Sequence, residues 1–266
     1  AIVYIETSTG QMAKIANEPL VQSLDINHEN QLSLDSSIPF TGADQIHDFA
    51  DGTGSAVAII DTPVNPFHSD FGDCSDLSAA ACRVKAVVNF TNDQIADVSP
   101  VHGSNVAGIT LGLAPGIDLY SLNVFHNVNG GVSAFDFDIF EALDYVLDQK
   151  LNQSVPFVAV NMSLGSASTV NPCFNSAYIN YFSQLHAIGI LPVVATGNDA
   201  HQTLIGSPAC APGSGSVGAV MDLPYRLSSS TCNQTGSVGA VACFTNRNGI
   251  VDFMASGVAI QAGGYN

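Results

Sequence analysis

Basic side chains are the scarcest chemistry in this 266-residue chain: 6 Lys and Arg stand against 23 Asp and Glu, a formal net charge of -17. Nucleic acid and anionic membrane surfaces find no counter-charge in such a chain, so neither is an expected partner. Long apolar runs are missing as well. No stretch reaches the length of a bilayer span, and no signal-peptide pattern is visible. The chain begins at Ala1 without Met and passes directly into the strand-like Ile2-Val3-Tyr4-Ile5, which reads as a processed or truncated start. No Cys-x-x-Cys pair occurs and no His cluster accompanies the cysteines, which disfavours zinc. No internal repeat is visible. The first strongly apolar strand candidate is followed by Asp61-Thr62-Pro63-Val64-Asn65, not by a Gly-x-Gly-x-x-Gly turn. That counts against a Rossmann-type nucleotide binder.

What is present is 46% hydrophobic residues and 24 Gly. This is globular composition, in a chain long enough for one large α/β domain or two small ones. The six cysteines are Cys74, Cys82, Cys173, Cys210, Cys232 and Cys243. Sequence alone does not choose their pairing. Proximity along the chain favours Cys74 with Cys82, Cys232 with Cys243, and Cys173 with Cys210 across a longer loop. An even count with no metal or redox motif points to an oxidising, extracytoplasmic compartment, so the protein is expected to be secreted.

Residues 1–35 read as strand, short amphipathic helix (11–17) and strand (19–25), followed by a polar, turn-rich linker at 27–37. From about Ile38 apolar strands alternate with helices. Strand candidates are 56–60, 84–90, 118–125, 157–162, 190–195 and 216–220. Helices are expected after His102, over 133–150 and within 174–189. The 133–150 helix would bury Phe137, Phe140, Leu143, Val146 and Leu147, with Ser133 as its cap. The stretch 222–237 reads as a mostly polar loop. Helices between buried strands imply a three-layer, doubly wound, mainly parallel α/β sheet with right-handed crossovers.

Ligand sites in such sheets lie at the carboxyl ends of the strands. That rule selects Asp61, Asn161 with Ser163-Leu164-Gly165, and Thr196-Gly197-Asn198-Asp199. His102 heads a run of small residues, Gly103, Ala107 and Gly108, which would let its helix sit close to a neighbour. The helix N-terminus is expected to keep the imidazole neutral. A carboxylate that orients and charges an imidazole base, with an Asn amide to donate to an oxyanion, is the machinery of acyl transfer. A nucleophile is missing from it.

Four segments carry a resemblance: Ala58-Ile59-Ile60-Asp61-Thr62, His102-Gly103-Ser104-Asn105-Val106-Ala107-Gly108, Asn161-Met162-Ser163-Leu164-Gly165 and Ala195-Thr196-Gly197-Asn198. They resemble, in order, blocks of the subtilases, the subtilisin-like serine peptidases. The resemblance covers about Ile38 to the end and implies a subtilisin-like fold and serine endopeptidase activity on protein or peptide substrates. It implies that Asp61 orients His102, that His102 is general base and acid, and that Asn198 is the oxyanion donor. Ser163-Leu164-Gly165 would pair with the substrate backbone, and Ala195-Thr196-Gly197 would line the primary specificity pocket.

Residues 1–35 resemble the second half of the inhibitor-type propeptide that precedes these enzymes, an intramolecular inhibitor. The expected division is therefore a partial α+β propeptide with linker at 1–35 and a peptidase domain at 36–266. No cofactor is implied for the chemistry. A structural calcium is allowed, but no Asp-rich loop has a spacing that places it. A monomer is expected.

The sequence also departs from the family pattern. Pro63 stands where the carboxylate block has Gly, which fixes φ and removes an N–H donor. Asn105 stands where the family's His-Gly-Thr-His block has its second His, and tuning of the helix is expected from it. Ala255-Ser256-Gly257 resembles the lead-up to the nucleophile block, but Gly263-Gly264-Tyr265-Asn266 follows without it. Read this way, the chain lacks the catalytic Ser and is inactive by itself. The alternative, from another class, is a non-catalytic subtilase-like protein that binds peptides or partners. His68 is expected to be structural, and the remaining histidines to be surface or packing residues.

Overall fold

The computed structural model describes residues 14–15, 18–19, 34–95, 98–128, 130–166, 172–228, 232–260 and 262. Backbone contacts divide the chain into two compact units, Ala1–Gln31 and Leu32–Asn266. In the first unit only four residues are described, with 14–15 helical. The strands expected at 2–6 and 19–25, and most of the helix at 11–17, lie outside the described residues.

The second unit is built on a seven-stranded sheet in the order β11-β8-β7-β6-β1-β3-β2. Its strands are β1 (Ala56–Asp61), β2 (Val84–Asn89), β3 (Asp118–Asn123), β6 (Phe157–Met162), β7 (Leu191–Ala195), β8 (Gly215–Val220) and β11 (Phe253–Ser256). Every pairing in this sheet is parallel. β1 lies between β3 and β6, and all six of its residues are buried, as a two-sided strand requires. Strand alternation sends Ala56, Ala58 and Ile60 into one core and Val57 and Ile59 into another.

The first core is closed by α3 (Asp136–Asn152) and α4 (Tyr178–Ala187), through Ile139, Leu143, Val146, Phe182 and Leu185. The second is closed by α2 (Val101–Leu113), through Ala107 and Leu111. Helices on both faces give the expected three layers. Each fully buried large side chain, such as Phe157 or Phe182, contributes about 2–3 kcal/mol of transfer free energy.

Several expectations are corrected. Residues 34–37 are not linker but the start of α1 (Leu34–Thr41). Ser36 and Ser37 donate hydrogen bonds to the Asp222 carboxylate, and Leu34 packs on Gly112 of α2. The strand expected over 118–125 stops at Asn123, and a hairpin follows, β4 (Phe125–Val128) with β5 (Gly131–Ala134). Ser133 lies in β5 and caps nothing. α3 starts after Phe135 without a side-chain cap, and Phe137 is exposed. The loop expected over 222–237 contains a second antiparallel hairpin, β9 (Tyr225–Ser228) with β10 (Asn233–Gly236).

All three disulfides form between the expected partners, Cys74–Cys82, Cys173–Cys210 and Cys232–Cys243. Among the described residues, no helix is long and apolar enough to cross a membrane.

Candidate active site

Because the sheet is parallel, the carboxyl ends of β1, β6 and β7 open on one edge. Their registers align Ile59 with Asn161 and Asn161 with Val193. Asp61 ends β1 fully buried. One of its oxygens, Oδ1, accepts both the N–H of Thr62 at 2.6 Å and Nδ1–H of His102 at 2.6 Å. The His102 side chain remains 57% exposed, so the ring has a buried, anchored side and an open side.

The helix that delivers His102 is held against the end of β1 at very short range. The N–H of Gly103 donates to Thr62 Oγ1 at 2.9 Å. A Cβ on residue 103 would lie 2.0 Å from the carbonyl oxygen of Thr62. Glycine is therefore required there by the approach of backbone to backbone. At the next position, Ser104 Oγ accepts from the N–H of Asn65. Asn105 does more than tune its helix: its Oδ1 accepts from the N–H of Ala262, tying α2 to the far end of the described chain.

The Asp61 carboxylate, not the helix terminus, is the nearest influence on the imidazole. The His102 pKa is raised above the ordinary histidine value, chiefly by its hydrogen bond to Asp61, which outweighs the lowering by burial, with a further contribution from the charge of that carboxylate. A buried anion in direct contact outweighs the helix terminus. The ring is thus prepared to hold a proton, as a general base must once it has taken one.

On β6, Asn161 is half-buried and its Nδ2 donates to Ser163 Oγ at 3.0 Å. Ser163-Leu164-Gly165 leaves the sheet without regular secondary structure, and the next N–H, that of Ser166, donates to the carbonyl of Ser207 at 2.8 Å.

On β7, Ala195 is half-buried at the strand end. Thr196 is buried and bonded through its backbone to Val217 and Gly206. Gly197 has φ of +101°, and a Cβ there would lie 2.5 Å from Asn246 Nδ2. Asn198 is exposed, and its side chain makes no hydrogen bond to the described residues. It is a free amide presented at the rim.

Asn246 was missed by the sequence reading. It is fully buried. Its Oδ1 accepts from the N–H groups of Asp199 and His201, its Nδ2 donates to Asp199, and its own N–H donates to the carbonyl of Gly197. It thereby fixes the loop carrying Asn198. No local pattern marks it, because its partners lie more than forty residues away.

Also missed was a cleft of about 700 Å³ lined by Asp136, Phe140, Cys173, Phe174, Tyr178 and Ser207, where Tyr178 donates to Asp136 at 2.7 Å. It adjoins the 163–166 segment through Ser207.

His68 caps the short 3₁₀ turn Ser69–Phe71, a structural role. His126 is more than a packing residue: its ring bridges Asp138 at 2.9 Å and Asp93 at 3.7 Å.

Residues 52–264 match the model of the subtilase family. Proteinase T of Parengyodontium album is 29% identical over 226 residues, covering 83% of this chain and 66% of that protein. Alkaline protease 1 of Aspergillus oryzae is 31% identical over 223 residues, covering 81% and 47%. A solved structure described as a cold adapted subtilisin-like serine proteinase superposes with a TM-score of 0.56 at 23% identity, covering 81% of this chain and 67% of its own. The chain thus spans between about half and two thirds of the length of the curated relatives it matches.

Proposed function

This chain belongs to the subtilase family, and from that premise we propose that the full-length protein is a serine endopeptidase acting on protein or peptide substrates. The observation that carries the proposal is the short hydrogen bond between a fully buried Asp61 and a half-exposed His102. In this reading the exposed face of His102 takes the proton of a serine nucleophile and returns it to the leaving amine. Asp61 fixes the tautomer and stabilises the imidazolium. Asn198 donates its free amide to the developing oxyanion.

Among the described residues Asp61 is the only hydrogen-bond partner of the His102 ring, so no described serine is bonded to it. Ser163-Leu164-Gly165 would pair with the substrate backbone, and Ala195-Thr196-Gly197 would wall the pocket for the residue before the scissile bond. The cleft at Asp136 and Phe174 would hold a side chain further from that bond.

No cofactor is proposed for the chemistry. Residues 1–35 are proposed as the tail of an inhibitory propeptide, and the enzyme as a secreted monomer. The three disulfides support the secreted location.

The full-length protein should degrade an unfolded protein, be silenced by a serine-directed sulfonyl or phosphonyl reagent, and lose activity on His102→Ala. Full activity in that variant would overturn the assignment. Binding of peptides without any hydrolysis would favour the non-catalytic reading instead.

A further inference from the structure

The Asp61 carboxylate is engaged on one oxygen only. Oδ2 is buried and has no hydrogen-bond partner among the described residues. A buried polar atom without a partner is uncommon, so the backbone N–H groups of the turn after β1 and of Gly103 can be followed one by one. The N–H of Thr62 is spent on Oδ1. The N–H of Val64 donates to Ser121 Oγ at 2.9 Å, that of Asn65 to Ser104 Oγ at 2.9 Å, and that of Gly103 to Thr62 Oγ1. The remaining position is residue 63. An aspartate side chain ordinarily finds its local donor two residues on, in an Asx-turn. Here that residue is proline, which has no N–H.

We infer that Pro63 is a positioning residue that tunes the Asp61–His102 pair by withholding the second donor. This rests on the endopeptidase reading of the site. A carboxylate whose negative charge is not shared with a second N–H is the stronger acceptor for its remaining partners. Those partners are the Thr62 N–H and Nδ1–H of His102, both on Oδ1. The proton on His102 is therefore held more firmly than it would be beside a fully solvated or fully bonded carboxylate. The acid limb of catalysis, where His102 must lose its proton to act as base, moves to higher pH.

Other charges do not supply this effect. α2 carries no acidic residue in its first turn and no basic residue in its last. The turn packed against it brings His68 and Asp70, which pair with each other at 3.5 Å, and α1 brings Asp35. Among the described residues, Asp61 is the one charged group within ion-pair distance of the His102 ring.

The test restores the donor. In the full-length enzyme, Pro63→Ala and Pro63→Gly each return an N–H two residues after Asp61, and glycine accepts whatever backbone angles proline holds there. Both variants should move the acid limb of the kcat/KM profile down by roughly half a pH unit or more. The His102 ring protons, followed by NMR titration, should move by the same amount. A limb and a titration unmoved in both variants, or activity lowered evenly at every pH, would refute the inference and leave Pro63 a structural residue. The NMR arm needs no turnover. If the wild-type protein cleaves nothing, the endopeptidase reading fails while the titration still decides the role of Pro63.

Discussion

Gly103→Ala sets two physical effects against each other at one atom. In an ordinary helix interior, alanine for glycine stabilises by about 1 kcal/mol, because glycine has more backbone entropy to lose. Here the new methyl would sit 2.0 Å from the carbonyl oxygen of Thr62, an atom of the backbone just after β1. The helix would have to retreat by more than about 1 Å to reach a normal contact distance. Overpacking of this kind costs about 1–3 kcal/mol. The retreat also breaks the bond from the Gly103 N–H to Thr62 Oγ1, worth about 1 kcal/mol. The balance is a net destabilisation of about 1–3 kcal/mol. Urea unfolding of the chain would show this as a midpoint lowered by about 0.5–1 M. Because residue 103 adjoins His102, the same displacement should lower turnover of the full-length enzyme by about 100-fold. A variant stabilised by about 1 kcal/mol with unchanged turnover would show that α2 does not depend on this approach, and would refute the reasoning.

The His102–Asp61 pair should make stability depend on pH in a definite direction. The folded pKa of His102 is raised, so the pair's contribution is fully present below the unfolded value and is lost as pH rises through the folded one. His102→Ala should therefore lower the unfolding midpoint more at pH 5 than at pH 9, and an equal loss at both would contradict it. Among the disulfides, Cys173–Cys210 closes the longest loop, with a separation of 37 residues, against 8 and 11 for the others. Its double replacement by serine should cost about 4 kcal/mol, more than either of the others, as measured by chemical denaturation. If Asn198 has the proposed oxyanion role, Asn198→Ala in the full-length protein should lower kcat by about 100- to 1,000-fold with little change in KM, since the amide would then act on charge that develops only during reaction. A change confined to KM would assign Asn198 to ground-state binding.

The parts of this molecule that the sequence makes legible are those whose signal is local. A run such as 56–60 is apolar on both faces because β1 is covered on both faces, and the carboxyl-edge rule then brings Asp61 and Asn198 to one edge without further information. The cysteine pairs are close enough along the chain to be matched by proximity. What the sequence hides is what depends on distant partners. The start of α1 reads as linker because Asp35, Ser36 and Ser37 are polar, and it is held by Asp222, about 185 residues away, and by packing on Gly112. The hairpins at 125–134 and 225–236 are mostly exposed and pair with themselves, so they carry little of the apolar alternation by which strands are recognised. The pKa of His102 follows the same division. Its place at a helix start is visible in the chain and argues for a neutral ring. The contact that opposes this by raising the pKa belongs to a residue 41 positions earlier. Pro63 sits between the two cases. Its missing N–H is written in the sequence, but whether that matters depends on where every neighbouring donor goes. Only the folded chain shows that Thr62, Val64, Asn65 and Gly103 are all committed elsewhere than Asp61 Oδ2. A substitution next to such a buried carboxylate therefore cannot be judged conservative or disruptive from its neighbours in sequence. It is judged by which lone pair it leaves without a donor.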